Sequence, residues 1–399
     1  MAAQPFSFRK IAVAAFGPSL LFGLGEGAIL PAVPLAVRDL GGSVPMAAFV
    51  VTLLGIGSLA SNLPASLITA RHGERRAIVG ASVWGALGML LCLVAPGITS
   101  FAAGIVMVGM AAAVFGLARM SYLTEAVPAH LRARAMSTLG GVLRIGMFVG
   151  PFAAAALMHF VGLAGAWWVG IVALLAAALL AAGLADLPGD AAANAAAADA
   201  GPTLRQVVAG HRTVFVTLGL GVVTISAVRA ARQAIIPLWA VHIGLDAAGA
   251  ALVYGLSNAV DMLIFYPAGQ LMDLKGRRWA AVPCMLVMGL ALCAMPLTAS
   301  ATPFLLAALL LGFGNGLGSG IVMTLGADHS PARGRAHFLG VWRLLSDVGG
   351  TAGPALLSAV TAAATLAAGI AATGGVALLG AALLGYWIPR AGARAAAAR

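Results

Sequence analysis

Gly269-Gln-Leu-Met-Asp273-Leu-Lys-Gly276-Arg277-Arg278 is a short polar passage between two long apolar ones. The run before it, 248–271, and the run after it, 279–299, are each long enough to cross a bilayer, which takes about 20 helical residues. Lys275, Arg277 and Arg278 crowd the passage with positive charge, and such loops stay cytoplasmic during insertion. Glycine permits a tight turn and a close helix approach, the roles expected of Gly276 and Gly269. Asp273 suits a neighbouring helix N-terminus. The ten residues therefore read as a cytoplasmic turn between two membrane helices, and they set the sidedness of everything around them.

Working outward, the apolar runs repeat. The predicted spans are 11–37, 46–69, 77–97, 101–122, 136–160 and 163–185, then 214–242, 248–271, 279–299, 302–325, 337–360 and 366–388. Composition agrees: 61% of the 399 residues are hydrophobic and 9% charged, where a soluble domain needs roughly a quarter charged. The net charge of +11 does not indicate nucleic acid, because of where it sits. Alternate loops on one side hold 17 of the 23 Lys and Arg, and the other side holds only Arg38. Five more, Arg119, Arg144, Arg229, Arg232 and Arg343, lie inside spans. The asymmetry predicts both termini in the cytoplasm and a multi-pass protein of a bacterial-type cytoplasmic (inner) membrane. The first span outruns a signal-peptide core and leads into Pro31 and Pro34, so no cleavable signal is expected. Cys92, Cys284 and Cys293 have no metal spacing; they read as small buried apolar residues, and no metal or cofactor is expected.

Residues 186–202, DLPGDAAANAAAADAGP, interrupt the pattern and read as part of a linker. The expected organisation is a six-helix bundle over 1–185, a cytoplasmic linker over 186–212 and a second six-helix bundle over 213–399. Thr203 to Val214 suits a short surface helix. The halves resemble each other. EGAILPAVPLA, from Glu26, aligns with RQAIIPLWAVH, from Arg232, and sets Pro31 against Pro237. GVLR ending at Arg144 aligns with GVWR ending at Arg343. Repeats of this kind place a substrate cavity between the halves, which rock around it.

The Gly269–Arg278 passage resembles the loop signature of the major facilitator superfamily, G-x-L-x-D-x-x-G-R-R, at every specified position. The first-half loop is a weaker copy. It keeps Gly73 and the basic residues Arg71, Arg75 and Arg76, but has Ser66 for the first glycine and Ala70 for the acid. Gly146-Met-Phe-Val-Gly150-Pro151 resembles the core of the family's antiporter motif, with Ala154 and Ala155 where the full motif has glycines. The resemblance implies an all-α membrane fold of twelve transmembrane helices in two pseudo-symmetric six-helix bundles, working by alternating access. It is drug/proton antiporter-like, which tilts the reading toward proton-driven export.

Ionisable groups at mid-bilayer cost at least about 2.5 kcal/mol each on insertion scales, so they are functional candidates. Glu26, Asp261 and Asp347 are the candidate proton-coupling acids. Arg229 and Arg232, three apart, share a face of span seven and are candidates for substrate contact or for neutralising Glu26. Asn258, Asn315, Trp239 and Tyr254 are candidate cavity-lining residues. Arg343 and Asp347, four apart, can pair within their helix. Arg144 and Asp261 lie at similar depth from the cytoplasmic side, and the resemblance makes their helices neighbours across the halves; a bridge between them would serve structure or gating. Arg144, Arg343 and the loop residues Gly269, Asp273, Gly276, Arg277, Arg278, Arg71 and Gly73 form the expected gating and charge network. Trp167 and Trp168 read as interface anchors.

No nucleophile with a base, paired-acid metal site or His-Glu-x-x-His stretch points to an enzyme, and no pore loop points to a channel. The expected partners are a small-molecule substrate, protons and the lipid bilayer, and the expected state is a monomer. The leading expectation is proton-coupled export of a small drug-like compound or metabolite. The alternative is proton-coupled import of a small organic anion, since, leaving aside Arg119, which reads as low in its span near the cytoplasm, four intramembrane Arg (144, 229, 232, 343) exceed three acids (26, 261, 347).

Overall fold

The computed structural model describes residues 8–126, 132–183, 203–331 and 335–397, and among them the regular elements are all helical. α1 (Phe8–Ile29) and α2 (Ala32–Asp39) form one crossing broken at Leu30–Pro31, where proline lacks the donor a continuous helix needs. α3 (Val44–His72), α4 (Glu74–Leu93), α5 (Ile98–Ala126), α6 (Arg132–Val161) and α7 (Ala164–Ala182) follow. The predicted linker, 186–202, falls outside the described residues. α8 (Leu204–Gly210) is the expected short helix, started by a capping box between Thr203 and Gln206. α9 (Arg212–His242), α10 (Ala247–Lys275), α11 (Arg278–Ala294), α12 (Ala301–Leu317), α13 (Ile321–His329), α14 (Arg335–Ala363) and α15 (Leu366–Ala397) complete the chain.

Among the described residues, 11 segments are long and apolar enough to cross a membrane. The eleventh expected span, α14, forms as a 29-residue helix but falls outside that set. It carries Arg343 and Asp347 with many Ser, Thr and Gly residues. The tenth span, expected to be continuous, breaks after Leu317 and resumes at Ile321. Gly318 and Gly320 allow this, and Gly320 takes the left-handed φ of 80°.

The chain forms two compact units: Met1–Ala32 with Ile56–Ala191, and Val33–Gly55 with Ala192–Arg399. In the first unit, α1 and α6 cross at backbone contact. A Cβ on Gly27 would lie 2.6 Å from the Met147 carbonyl, and Gly146 and Gly150 sit directly on the Leu20 and Leu24 carbonyls. In membranes, where lipid is as apolar as leucine, such small-residue contact holds helices together. Phe22 stacks on Phe115 at 4.0 Å between centroids, and Trp167 meets Phe101 edge-on. Trp167 is therefore core rather than the expected anchor, while Trp168 is 47% exposed. In the second unit, α9 and α14 cross in the same way. Gly349 and Gly353 sit on the Val223 and Ala227 carbonyls, and the Ser226 and Ser346 hydroxyls bond at 2.8 Å. Ser358 donates to the Pro45 carbonyl at 2.7 Å, which ties the 33–55 passage into this unit.

These crossings correct the register of the repeat. Positions 146 and 349, 150 and 353, and the turn glycines 73 and 276 are each separated by 203 residues. In that register Glu26 corresponds to Arg229, not Arg232, and Arg144 to Asp347, not Arg343. The sequence alignment was one helical turn off in each span pair, in opposite directions. A shift of three or four residues keeps a helix face nearly unchanged, so apolar periodicity barely separates the two.

Candidate functional site

A cluster of part-buried polar groups in the second unit surrounds the break in the tenth span. A helix that ends inside a bilayer leaves carbonyls with no partner. Arg229 of α9 supplies donors, its Nη2 reaching the Gly318 carbonyl at 2.7 Å and the Asn315 carbonyl at 3.4 Å. A cation at a helix C-terminus is also favoured by the helix dipole. On α10, Asp261 accepts from Asn315 Nδ2 at 2.8 Å. Cys284 of α11 is fully buried, and both Arg229 and Asp261 act on it electrostatically. Gly318 is required here, since a Cβ would collide with Cys284 Sγ and lie 2.8 Å from Arg229 Nη2. The Arg229 Nε and the Asn315 Oδ1 are buried without a hydrogen-bond partner among the described residues. One donor and one acceptor are thus left over within an acid, amide and guanidinium chain. Such a set can hold a small polar or anionic group.

One turn from Arg229, Arg232 is 5% exposed. It donates to Asn258 Oδ1 at 2.6 Å and to Ser257 Oγ at 3.4 Å, and lies 5.8 Å from the Tyr254 ring centroid. Ser257 passes the chain on to the Ala308 carbonyl at 2.6 Å. Asn258 and Arg232 therefore serve each other. Trp239 is likewise engaged, donating to Thr298 Oγ1 at 2.9 Å and packing at a tilt against the His242 ring.

In the first unit, Glu26 is half-buried on α1, and the charge that acts on it is Arg119 of α5. Phe22 and Phe115, one turn below each, stack together, and the Arg119 guanidinium lies 5.7 Å from the Phe115 centroid. Arg119 was missed because it was read as lying low in its span. The available signal was the matching Phe22–Glu26 and Phe115–Arg119 spacing on two helices. Cys284 gave no signal.

Arg343 and Asp347 meet within α14 at 3.9 Å, with the guanidinium half exposed. Arg144 is exposed on α6 in the first unit, and Asp261 is held by Asn315 in the second. At the loops, Gly73 and Gly276 both take the left-handed turn, with φ of 80° and 90°. A Cβ on Gly269 would meet nothing within 4 Å, so the expected close approach is not found there among the described residues. The Asp273 side chain lies outside the described residues. Arg277 does more than anchor the loop. It forks onto Asp328 at the end of α13, Nε at 2.7 Å and Nη2 at 3.2 Å. The degraded first-half loop has its own latches. Glu74 accepts from Ser121 of α5 at 2.8 Å, and Arg75 donates to the Ala182 carbonyl at the end of α7 at 2.6 Å. Arg71 is exposed in the last turn of α3.

A family model described as Major Facilitator Superfamily matches residues 16–354 and, in a second match, 218–399. An uncharacterized MFS-type transporter of Bacillus subtilis (strain 168), YfkF, is 27% identical over 139 residues, 35% of this chain and 36% of that protein. The match thus spans about a third of that relative. Solved structures share the fold across nearly the whole chain. A POT family transporter in complex with a thioalcohol-conjugated peptide has a TM-score of 0.78 at 11% identity, covering 96% of both chains. A D-xylose-proton symporter has 0.75 at 14%, covering 94% of this chain and 97% of its own. A bacterial homolog of the human lysosomal transporter Spinster, inward-facing and unoccupied, has 0.75 at 15%, covering 96% and 97%.

Proposed function

The chain belongs to the Major Facilitator Superfamily of membrane transporters, and from that premise we propose that it is a proton-coupled secondary transporter exporting a small drug-like compound or metabolite. The observation that carries the proposal is that each unit holds a membrane-embedded acid grouped with an arginine. Glu26 feels Arg119 in the first unit, and Asp261 shares the Asn315–Cys284–Arg229 cluster in the second. A carboxyl whose cationic neighbour approaches and withdraws during a transport cycle takes up and releases a proton, because an adjacent cation favours the charged form and desolvation disfavours it. The D-xylose-proton symporter, similar in fold, bears a coupling ion in its name.

Outward direction rests on the resemblance of Gly146–Pro151 to an antiporter motif. Those glycines also have a packing duty, and Gly349–Pro354 performs it in the second unit. The sequence G-x-x-x-G-P is therefore accounted for by close helix crossing, which lowers its weight as a direction signal. The second reading, import of an organic anion, is favoured by Arg232, buried among neutral partners. Proteoliposomes carrying an imposed pH gradient test both readings with a panel of organic cations, neutral amphiphiles and carboxylates. Substrate movement against the proton flux supports export. Carboxylate accumulation along the proton flux supports the second reading. Movement of any substrate indifferent to the gradient sinks proton coupling.

A further inference from the structure

The second unit carries a groove that the transport reading leaves unused. It runs between α11 and α15 and encloses about 600 Å³. Its wall on α11 is Arg278, Val282 and Leu286, successive residues at four-residue spacing, hence one helix face. Its wall on α15 is Arg390, Tyr386, Ala382 and Leu378, again at four-residue spacing. The two arginines mark the same end of the groove. Below them the lining is apolar for about 12 Å along α11 and about 18 Å along α15, at about 1.5 Å per residue.

The charged end is built for an anion. Arg278 and Arg390 are both exposed, and neither has an acidic partner among the described residues. The Arg390 guanidinium lies over Tyr386, 3.6 Å from the ring centroid, and its Nη1 donates to the Tyr386 carbonyl at 3.0 Å. Such a contact restrains the guanidinium while only one of its five donors is used by the Tyr386 carbonyl. Lys275, over Trp279 at 5.7 Å, adds positive charge nearby. Leu286 and Tyr386 remain 40% and 51% exposed, as side chains facing lipid are.

We propose that this groove binds one anionic phospholipid, its phosphate between Arg278 and Arg390 and an acyl chain along Val282, Leu286, Ala382 and Leu378. A soluble anion would use the arginines and leave the apolar length empty. A neutral lipid would use the apolar length and leave the arginines unpaired. Only an anionic amphiphile matches both ends, and basic pockets between membrane helices on the cytoplasmic side suit such headgroups.

The test uses the full-length protein, purified in detergent and stripped of lipid. It is titrated with phosphatidylglycerol, with phosphatidylcholine of the same chains, and with inorganic phosphate, reading retained lipid by native mass spectrometry and the melting temperature. Phosphatidylglycerol is expected to be retained and to raise the melting temperature, and the other two are not. In R278Q/R390Q its affinity is expected to fall about thirtyfold, and in A382W, which blocks the apolar length with both arginines intact, also to fall. R205Q/R212Q, which removes two exposed charges elsewhere, is expected to bind as the parent does. Equal binding by R278Q/R390Q and the parent, or full stabilisation by phosphate alone, would overturn the proposal. Phosphatidylglycerol carrying a photoreactive acyl chain provides a readout on the unmodified protein. Cross-links within 278–290 and 378–390 support the site, and cross-links confined to other helices reject it.

Discussion

Glu26 and Asp261 differ in how their neighbours hold them, and that difference gives separate expectations. Glu26 feels the Arg119 charge of α5, whereas Asp261 accepts a hydrogen bond from an amide. Glu26→Gln is expected to abolish transport driven by a pH gradient, with the protein still inserted at normal level. Unchanged gradient-driven uptake in vesicles would remove Glu26 from the coupling scheme. Arg119→Ala is expected to impair the same activity, because the charge acting on the acid would be lost. A parent-like pH profile for that variant would show the Arg119 field to be incidental. At this scale the sequence was partly legible. Rare charges in apolar runs identify themselves by their cost, so Glu26, Asp261, Arg229 and Arg232 were singled out without coordinates. Their pairings with Arg119, Cys284 and Asn315 were not, because those residues reach them through folding.

Helix breaks and crossings belong to the next scale. Gly320 has a left-handed φ of 80°, and a Cβ there costs about 1–2 kcal/mol. Gly320→Ala is expected to lower the melting temperature and to loosen the Arg229 contact with the end of α12. Gly150 and Gly353 sit on backbone carbonyls, with nothing flexible to move aside. Valine at either is expected to cost about 1–3 kcal/mol by overpacking and to reduce folded yield. A parent-like thermal transition in G150V and G353V would show that these crossings are looser than described. By contrast Arg277→Ala removes a fork that is about one-third exposed, and such pairs are worth about 0–1 kcal/mol. Its expected effect is slight on stability. The span pattern announced most of these helices, but not the break at 318–320. Gly, Ser and Leu alternate there without a proline, and a glycine inside an apolar helix is tolerated often enough to hide a stop.

For the molecule as a whole, the testable matters are sidedness and the link between halves. In a cysteine-free background, Ser43→Cys is expected to react with a membrane-impermeant maleimide from outside, and Gly201→Cys only from inside. The reverse pattern would invert the proposed topology. The Arg144–Asp261 bridge expected from the sequence predicts that R144A and D261N each impair transport and that the double variant is no worse than the stronger single. Additive losses would argue that the two residues act independently. The sequence by itself determined that this is a helical membrane protein, the approximate number of crossings and the family. Those follow from length, hydrophobicity and the distribution of charge, which local composition carries. Only the tertiary structure decided the register of the internal repeat, the partners of the buried charges and the break in the tenth span. The physical reason is periodicity. A helix presents nearly the same face after three or four residues, so a pattern of apolar residues marks a helix firmly and its alignment loosely. Close glycine crossings, Gly146 and Gly150 on α1 and Gly349 and Gly353 on α9, remove that freedom, and with it the choice between Arg229 and Arg232 as the counterpart of Glu26.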